Sequence, residues 1–243
     1  MSADFTLGDV VAVACAEAFR GDGEILASPI GAMPSLGARL ALATFSPDLL
    51  MTDGVARLMS GGVVEGWLPY RAVFDLVWSG RRHVMMGATQ LDRFGNQNIS
   101  AIGDWRHPVA QLLGVRGAPG NTINHPTSYF VPRHSPKVFV ERVDAVSGIG
   151  YDRAAELGPE ASRYHRIPRV VSNLGVFDFE TPDHSMRVRS LHPGVSAEQL
   201  RAATGFALQL AADVPVTRAP TVDELRLLGE LDPSGAARRE MRP

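Results

Sequence analysis

Residues 83–98 read HVMMGATQLDRFGNQN, and this stretch decides both the expected fold and the expected site. Its first part, residues 83–86, is a short apolar run of the length of a buried strand, and Gly87 closes it. A dense polar segment, residues 87–98, follows at once. Because ligands of open α/β sheets bind beyond the carboxyl ends of strands, this polar segment is a candidate binding site.

The rest of the chain alternates short apolar runs with helical patterns. We predict an α/β fold in which helices cover a mainly parallel, open sheet. Helices are expected at residues 7–20, 34–45, 71–78, 196–204 and 221–230, and strands at residues 24–28, 49–51, 83–86, 137–140, 169–172 and 186–190. Ser196 and Thr221 are predicted helix caps, since Gln199 and Glu224 follow them at capping-box spacing. We expect a single domain over residues 1–243, with residues 232–243 as a frayed tail.

Residues 114–136 are predicted to form a long polar loop, because they contain three glycines and four prolines. Its run from Gly114 to Gly120 has the wrong spacing for a dinucleotide fingerprint, and we expect no helix after it. Successive backbone N–H groups in such a loop can bind an anion. An ordered surface loop is the alternative interpretation.

Two groups of polar side chains are chemically suited to catalysis. Gln90, Asn96 and Asn98 carry neutral amides that can donate hydrogen bonds to a carbonyl oxygen as it gains negative charge. Asp53 follows an apolar run and could act as an acid, base or nucleophile. Both groups are also typical of turns, since Phe94-Gly95-Asn96 and Asp53-Gly54 are turn sequences.

The composition excludes several classes of function. The single cysteine excludes an intrachain disulfide or a Cys-x-x-Cys motif, and the single lysine, Lys137, follows a proline rather than the glycine of a phosphate loop. None of the seven histidines are paired at the i, i+4 spacing of a helical zinc site, so no metal is expected. A net charge of −2 argues against nucleic-acid or membrane partners.

The chain is also predicted to be cytoplasmic. Its first residues include Asp4 and Asp9, where a signal peptide would carry positive charge. No apolar stretch approaches the roughly 18–20 residues that span a bilayer.

Several separate motifs resemble one known family. Gly87-Ala88-Thr89-Gln90-Leu91-Asp92, followed by Gly95-Asn96-Gln97-Asn98, resembles the signature of the β subunits of family I CoA-transferases. Residues 28–38, 169–179 and 191–195 are similar to other parts of that family, in its glutaconate CoA-transferase branch. The resemblance is stronger still to the β subunits of steroid ring-cleaving CoA hydrolases of cholesterol-degrading bacteria, through residues 95–100 and 120–125.

The resemblance implies a CoA-transferase β-subunit fold and an α-subunit partner in an α2β2 heterotetramer. The implied substrate is an acyl-CoA, and no cofactor is implied beyond the CoA of that substrate. The residues implied at the site are Gln90 and Asn96 as donors, with Thr52, Gly54, Asn98, Gly120, Asn121 and Asn124 binding substrate.

One departure from the transferase pattern concerns the nucleophile. Transferases of this family carry a glutamate at the place where this chain has Asp53. Aspartate is one methylene shorter, which displaces the carboxylate by roughly 1 Å, and a misplacement of that size can cost about a hundredfold in rate. The resemblance therefore implies the hydrolase route, in which a glutamate of the α subunit acts as the base. A cyclic β-keto acyl-CoA from the cholesterol C/D rings is then opened by hydrolytic C–C cleavage.

Two alternatives stay open on the sequence. The chain could be a CoA-transferase β subunit that moves CoA between carboxylic acids with Asp53 as the nucleophile. It could also be a non-catalytic ligand-sensing domain, since the same fold serves regulators.

Overall fold

The computed structural model describes residues 4–52, 57–61, 63–67, 75 and 81–241. These residues form two compact units. The first, unit 1, comprises Met1–Met86 and Thr217–Pro243, and the second, unit 2, comprises Gly87–Val216. The prediction of a single domain over the whole chain stays a prediction.

The described elements include both helices and strands, with long runs of consecutive strands. The helices are α1 (Leu7–Glu17), α2 (Ala32–Ala43), α3 (Ala118–Asn124), α4 (Tyr151–Leu157), α5 (Pro159–Ser162), α6 (Ala197–Ala202), α7 (Val222–Leu231) and α8 (Ala236–Arg239). The strands are β1 (Leu26–Pro29), β2 (Leu50–Thr52), β3 (Arg57–Ser60), β4 (Val63–Trp67), β5 (Arg82–Gly87), β6 (Gln90–Leu91), β7 (Gln97–Asn98), β8 (Ala101–Ile102), β9 (Ala110–Gln111), β10 (Thr127–Val131), β11 (Val170–Ser172), β12 (Gly175–Asp178) and β13 (Arg187–Leu191).

Parallel strands form the centre of unit 1. Strand β1 pairs in parallel with β5 on one side and β2 on the other, and the hairpin β3–β4 extends the sheet in antiparallel fashion. Helix α1 begins with a capping box between Thr6 and Asp9 and packs against α2. The two helices approach closely, because a Cβ on Gly37 would lie 2.5 Å from the Cβ of Cys15. The α/β prediction is confirmed, with parallel central strands.

In unit 2, β10 and β11 pair in parallel, and β12 and β13 continue from β11 in antiparallel fashion. The short pairs β6–β7 and β8–β9 stand apart as two-stranded ribbons. All five residues of β10 are buried, and all except Ser128 have the β-branched or aromatic side chains that favour strands.

Part of the predicted loop at residues 114–136 is wrong, since it contains α3 and β10. Pro119 does not prevent a helix here, because it stands at the start of α3, where a missing N–H costs nothing. The predicted strand at residues 137–140 is also wrong, because only Phe139 makes a bridge, to Leu91. The predicted helix at residues 71–78 lies outside the described residues, apart from Asp75, which is helical.

The predicted frayed tail differs from the structure, which has α8 and buried side chains at Ala237 and Met241. Arg238 explains the difference, since its guanidinium lies 2.9 Å from Asp9 in α1 and 3.3 Å from Asp232. Burial with two ion pairs holds the segment against the body of unit 1.

Candidate active site

The polar segment after β5 forms the β6–β7 ribbon and its turn. Gln90 pairs with Asn98 and Leu91 with Gln97 across the ribbon. Gly95 takes a φ of +84° in the turn, a conformation that favours glycine. The turn interpretation of this segment is therefore correct at Gly95, and the ribbon follows β5 directly in the sequence.

Asp92 is the anchor of the turn and is buried. Its carboxylate accepts hydrogen bonds from the backbone N–H groups of Phe94 and Asn96, each at 3.0 Å, and from the Asn96 side chain. Burial raises the pKa of Asp92 to about 6, and the nearby charge of Asp152 adds to that rise. The hydrogen bonds from Asn96 and Phe94 oppose the shift, but desolvation outweighs them.

Asn96 and Asn98 use both of their side-chain N–H bonds within the protein. Asn96 Nδ2 donates to Asp92 at 2.9 Å and to Asp152 at 2.8 Å. Asn98 Nδ2 donates to Gln90 Oε1 and to the carbonyl of Ala101, each at 2.7 Å. Both side chains are buried, and each side-chain N–H has an acceptor within the protein. Both side chains belong to the framework of the turn in this structure, and the donor role of Asn96 and the substrate contact of Asn98 stay predictions.

Gln90 is held by Asp144, a residue that the sequence analysis missed. Gln90 Nε2 donates to Asp144 Oδ2 at 3.0 Å, and Gln90 Oε1 accepts from the Asp144 backbone N–H at 3.0 Å. These bonds join residues 54 positions apart, and no periodic pattern in the sequence signals such a contact. The donor role of Gln90 stays a prediction, since one bond accounts for one of its two N–H groups.

Helix α3 brings the other predicted binding residues together. Gly120 and Asn124 lie four positions apart and therefore share one face of the helix, while Asn121 is adjacent to Gly120. Gly120 and Asn124 are exposed, whereas Asn121 is buried. Asn124 Nδ2 donates to the Gly120 carbonyl at 2.9 Å, and no atom lies within 4 Å of a Cβ placed on Gly120. The face is open to a ligand, and contact with substrate stays a prediction for these three residues.

Helix α3 is in turn fixed by Thr122, which points into the protein. Thr122 Oγ1 accepts from the Ile149 N–H at 3.1 Å, and the Thr122 carbonyl lies 2.7 Å from His165 Nδ1. The open face is thus carried by a helix anchored on its opposite side.

The third predicted group follows β2 in unit 1. Thr52 is the last residue of β2, at the carboxyl end of a strand parallel to β1, as its place in the sequence indicates. Asp53 and Gly54 lie outside the described residues. The roles predicted for Thr52, Asp53 and Gly54 stay predictions.

Unit 2 also contains a buried histidine, His134, whose tautomer follows from its neighbours. Thr204 donates its hydroxyl proton to the Leu200 carbonyl, so its oxygen accepts from His134 Nε2 at 2.9 Å. Nδ1 is then the acceptor for the Ser172 hydroxyl at 3.0 Å. Burial lowers the pKa of His134 to about 3, and the ring stacks on Phe139. This neutral histidine is a structural link, because both its nitrogens and its ring face are occupied.

The described part of the chain contains neither a membrane-spanning helix nor a cluster of metal ligands. No helix there has the length and apolar character needed to cross a bilayer. The same residues contain no group of three histidine, cysteine or acidic side chains arranged as metal ligands.

The comparison of folds defines the class of protein. The structure superposes on glutaconate coenzyme A-transferase from Acidaminococcus fermentans with a TM-score of 0.81, covering 97% of this chain and 98% of that one at 22% identity. The fold is therefore that of the CoA-transferases, as the sequence predicts. No family model matches the chain.

Closer relatives define the family. The chain is 54% identical to the cholesterol ring-cleaving hydrolase IpdB subunit of Rhodococcus jostii (strain RHA1), over 98% of this chain and 97% of that protein. It also superposes on the crystal structure of Rhodococcus jostii RHA1 IpdAB with a TM-score of 0.94 at 53% identity, covering 99% of this chain and 100% of that one. The chain belongs to the IpdB family of cholesterol ring-cleaving hydrolase subunits.

Proposed function

We propose that this chain is the β subunit of a heteromeric hydrolase that opens a cyclic β-keto acyl-CoA derived from the steroid C/D rings. The observation that carries this proposal is the 54% identity, over nearly the whole of both proteins, to a subunit named a cholesterol ring-cleaving hydrolase. The aspartate at position 53, in place of the transferases' glutamate, supports hydrolysis over CoA transfer.

The proposed reaction adds water to the ring ketone of the substrate. The C–C bond between that carbon and the thioester α-carbon then breaks, leaving a new carboxylate and a thioester enolate, which takes up a proton. A glutamate of the α subunit is the proposed base. Donors must stabilise the developing oxyanion and enolate, and such groups contribute most when they are fixed in advance. Gln90 is our candidate donor, since Asp144 fixes its amide.

The partner and setting follow from the same proposal. We propose an α-subunit partner in an α2β2 assembly, supported by the structural match to IpdAB and by the word subunit in the relative's name. The CoA of the substrate is the only cofactor-like group that the reaction needs. We propose a cytoplasmic location, since the single cysteine, Cys15, is a free buried thiol.

A reconstitution experiment tests the hydrolase. The chain alone is expected to leave a steroid-derived cyclic β-keto acyl-CoA unchanged. With its α subunit it should yield the ring-opened acyl-CoA, heavier by one water, without release of CoA. Mass spectrometry of the products decides the outcome. Full activity of the chain alone would contradict the subunit proposal, and a ligand-binding complex without turnover would favour the sensing alternative.

A CoA-transferase is the second candidate, because a carboxylate does follow β2 at Asp53. A transferase would form a thioester between that carboxylate and CoA. We expect no CoA adduct when the complex is incubated with acyl-CoA, trapped with borohydride or hydroxylamine and digested. Asp53→Ala serves as the matched control for any mass assigned to residue 53. A CoA-dependent modification of Asp53 that this variant lacks would establish the transferase.

A further inference from the structure

Asp144 connects three segments of unit 2 through a single oxygen atom. Its Oδ2 accepts from Gln90 Nε2 in β6 at 3.0 Å and from the Gly103 backbone N–H after β8 at 2.9 Å. Its own backbone N–H donates to Gln90 Oε1 at 3.0 Å. The bonds between Gln90 and Asp144 are therefore reciprocal, which fixes the orientation of the amide as well as its position.

Gly103 is the first residue of the loop that joins β8 to β9 in a hairpin. It takes a φ of +88°, and a Cβ there would lie 3.1 Å from a methyl group of Val109, so the chain turns tightly at this point. The loop of this hairpin exposes large apolar side chains, with Trp105 at 63% and Val109 at 87% exposure. The position of the hairpin relative to Gln90 is held by the hydrogen bond between Gly103 and Asp144, together with the Asn98 side chain, which donates to both Gln90 and the Ala101 carbonyl.

The second oxygen of Asp144 has a different environment. The residue is exposed, and within the described residues Oδ1 accepts no hydrogen bond and has no cationic partner. The protein contacts of Asp144 therefore need an acceptor oxygen at Oδ2, and a neutral amide oxygen can supply it.

We propose that Asp144 is a positioning residue for the ring-opening reaction. It holds the Gln90 amide and the β8–β9 hairpin in the arrangement that receives the acyl-CoA substrate. The role in the reaction rests on the proposed function, and the hold on the hairpin rests on the geometry alone. Gln90 is the residue through which Asp144 acts.

Two substitutions at Asp144 separate a positioning role from a chemical one. Asp144→Ala removes the acceptor, and in the complex with the α subunit we expect kcat/KM to fall by about ten- to a hundredfold, since small displacements in a site have effects of this size. Asp144→Asn places an amide oxygen where Oδ2 was and should keep kcat/KM within about threefold of the native value. Glu141→Ala removes an exposed charge from the same segment and should change neither kcat nor KM, because its ion pair with Arg93 is a loose 4.0 Å contact.

Hydrogen exchange of the same complexes gives a readout that needs no substrate. The Gly103 amide should exchange at least about tenfold faster in Asp144→Ala than in the native protein, and at native rates in Asp144→Asn and Glu141→Ala. Equal loss of kcat/KM in the alanine and asparagine variants would overturn the proposal, because the charge itself would then be required. A loss in Asp144→Ala that only tracks a smaller folded fraction, or unchanged Gly103 exchange, would overturn it as well. If the native complex fails to hydrolyse the substrate, the proposed function fails, while the exchange result still decides whether Asp144 holds the hairpin.

Discussion

Lowering the pH from 7 to about 4.5 is expected to reduce the free energy of unfolding by about 3 kcal/mol, through buried histidines that cannot take up protons in the folded state. Burial lowers the pKa of His134 to about 3 and that of His192 to about 4, against 6.5 for an exposed imidazole. The unfolded chain therefore binds protons below pH 6.5 that the folded chain does not. Stability is lost as the pH falls from 6.5 towards the folded values, by about 1.4 kcal/mol per pH unit for each group.

Asp92 acts in the opposite direction over part of this range. Its pKa in the folded state is about 6, above the 3.8 of an exposed aspartate, so the folded chain binds the extra proton between these values. Acidification through this window favours the folded state, by about 2 kcal/mol at pH 4.5, and offsets part of the loss of about 5 kcal/mol from the two histidines. Acidification therefore lowers the free energy of unfolding, because the loss from the two histidines exceeds the gain from Asp92.

Urea unfolding followed by circular dichroism at a series of pH values measures this effect. His134→Gln should reduce the slope of the free energy of unfolding against pH, below pH 6.5, by the amount that one titrating proton contributes. Glutamine can accept a hydrogen bond from Ser172 and donate one to Thr204 without titrating. His107→Gln, at an exposed histidine, should leave the slope unchanged. A stability that rises by about 2 kcal/mol between pH 6.5 and 4.5, as Asp92 alone would produce, would show that these histidines titrate normally.

Gly150→Ala is expected to destabilise the chain by about 3 kcal/mol, because backbone atoms surround this glycine and cannot move aside as side chains do. A Cβ on Gly150 would lie 2.5 Å from the Asn96 backbone nitrogen and would overlap the Phe94 carbonyl oxygen. The Gly150 N–H also donates to Asn96 Oδ1 at 2.7 Å. The substitution should therefore push the turn of the β6–β7 ribbon away and disturb the Asp92–Asn96 network together with the fold.

Gly229→Ala is the matched control for this effect. Gly229 lies inside α7, and nothing is within 4 Å of the Cβ it lacks, so alanine should stabilise the chain by about 0.5–1 kcal/mol through helix propensity. Thermal unfolding of both variants gives the comparison. A loss for Gly150→Ala below about 1 kcal/mol would mean that the ribbon yields at little cost, contrary to the rigid site described above.

Local signals in the sequence predicted much of the fold. Thr221 and Glu224 form the expected capping box at the start of α7, and β1, β2 and β5 appear within a few residues of the predicted positions. Apolar runs reveal these strands in the sequence, and a capping pattern reveals the start of this helix. The motif resemblance supplied the family, which propensity alone could not.

The errors have a common physical origin in contacts between distant residues. The two-residue strands β6 to β9 exist through pairing and have no periodicity of their own. The hydrogen bonds of the Asn96 side chain likewise depend on a distant acceptor, Asp152, which no local pattern reveals. Asp144, finally, carries no motif, and only its contact with Gln90 reveals it.

The division of unit 1 between the two ends of the chain has a consequence for biosynthesis. Arg218 pairs with Glu17 in α1 at 2.6 Å and with Glu224 in α7 at 2.6 Å, so these contacts of the first helix form only after residues 218–224 have been made. Unit 2, by contrast, is continuous in sequence and can fold while the ribosome is still translating. Helix α1 can pack against α2 early, but its contacts with residues after 217 form only once those residues have left the ribosome, so unit 1 is completed after unit 2.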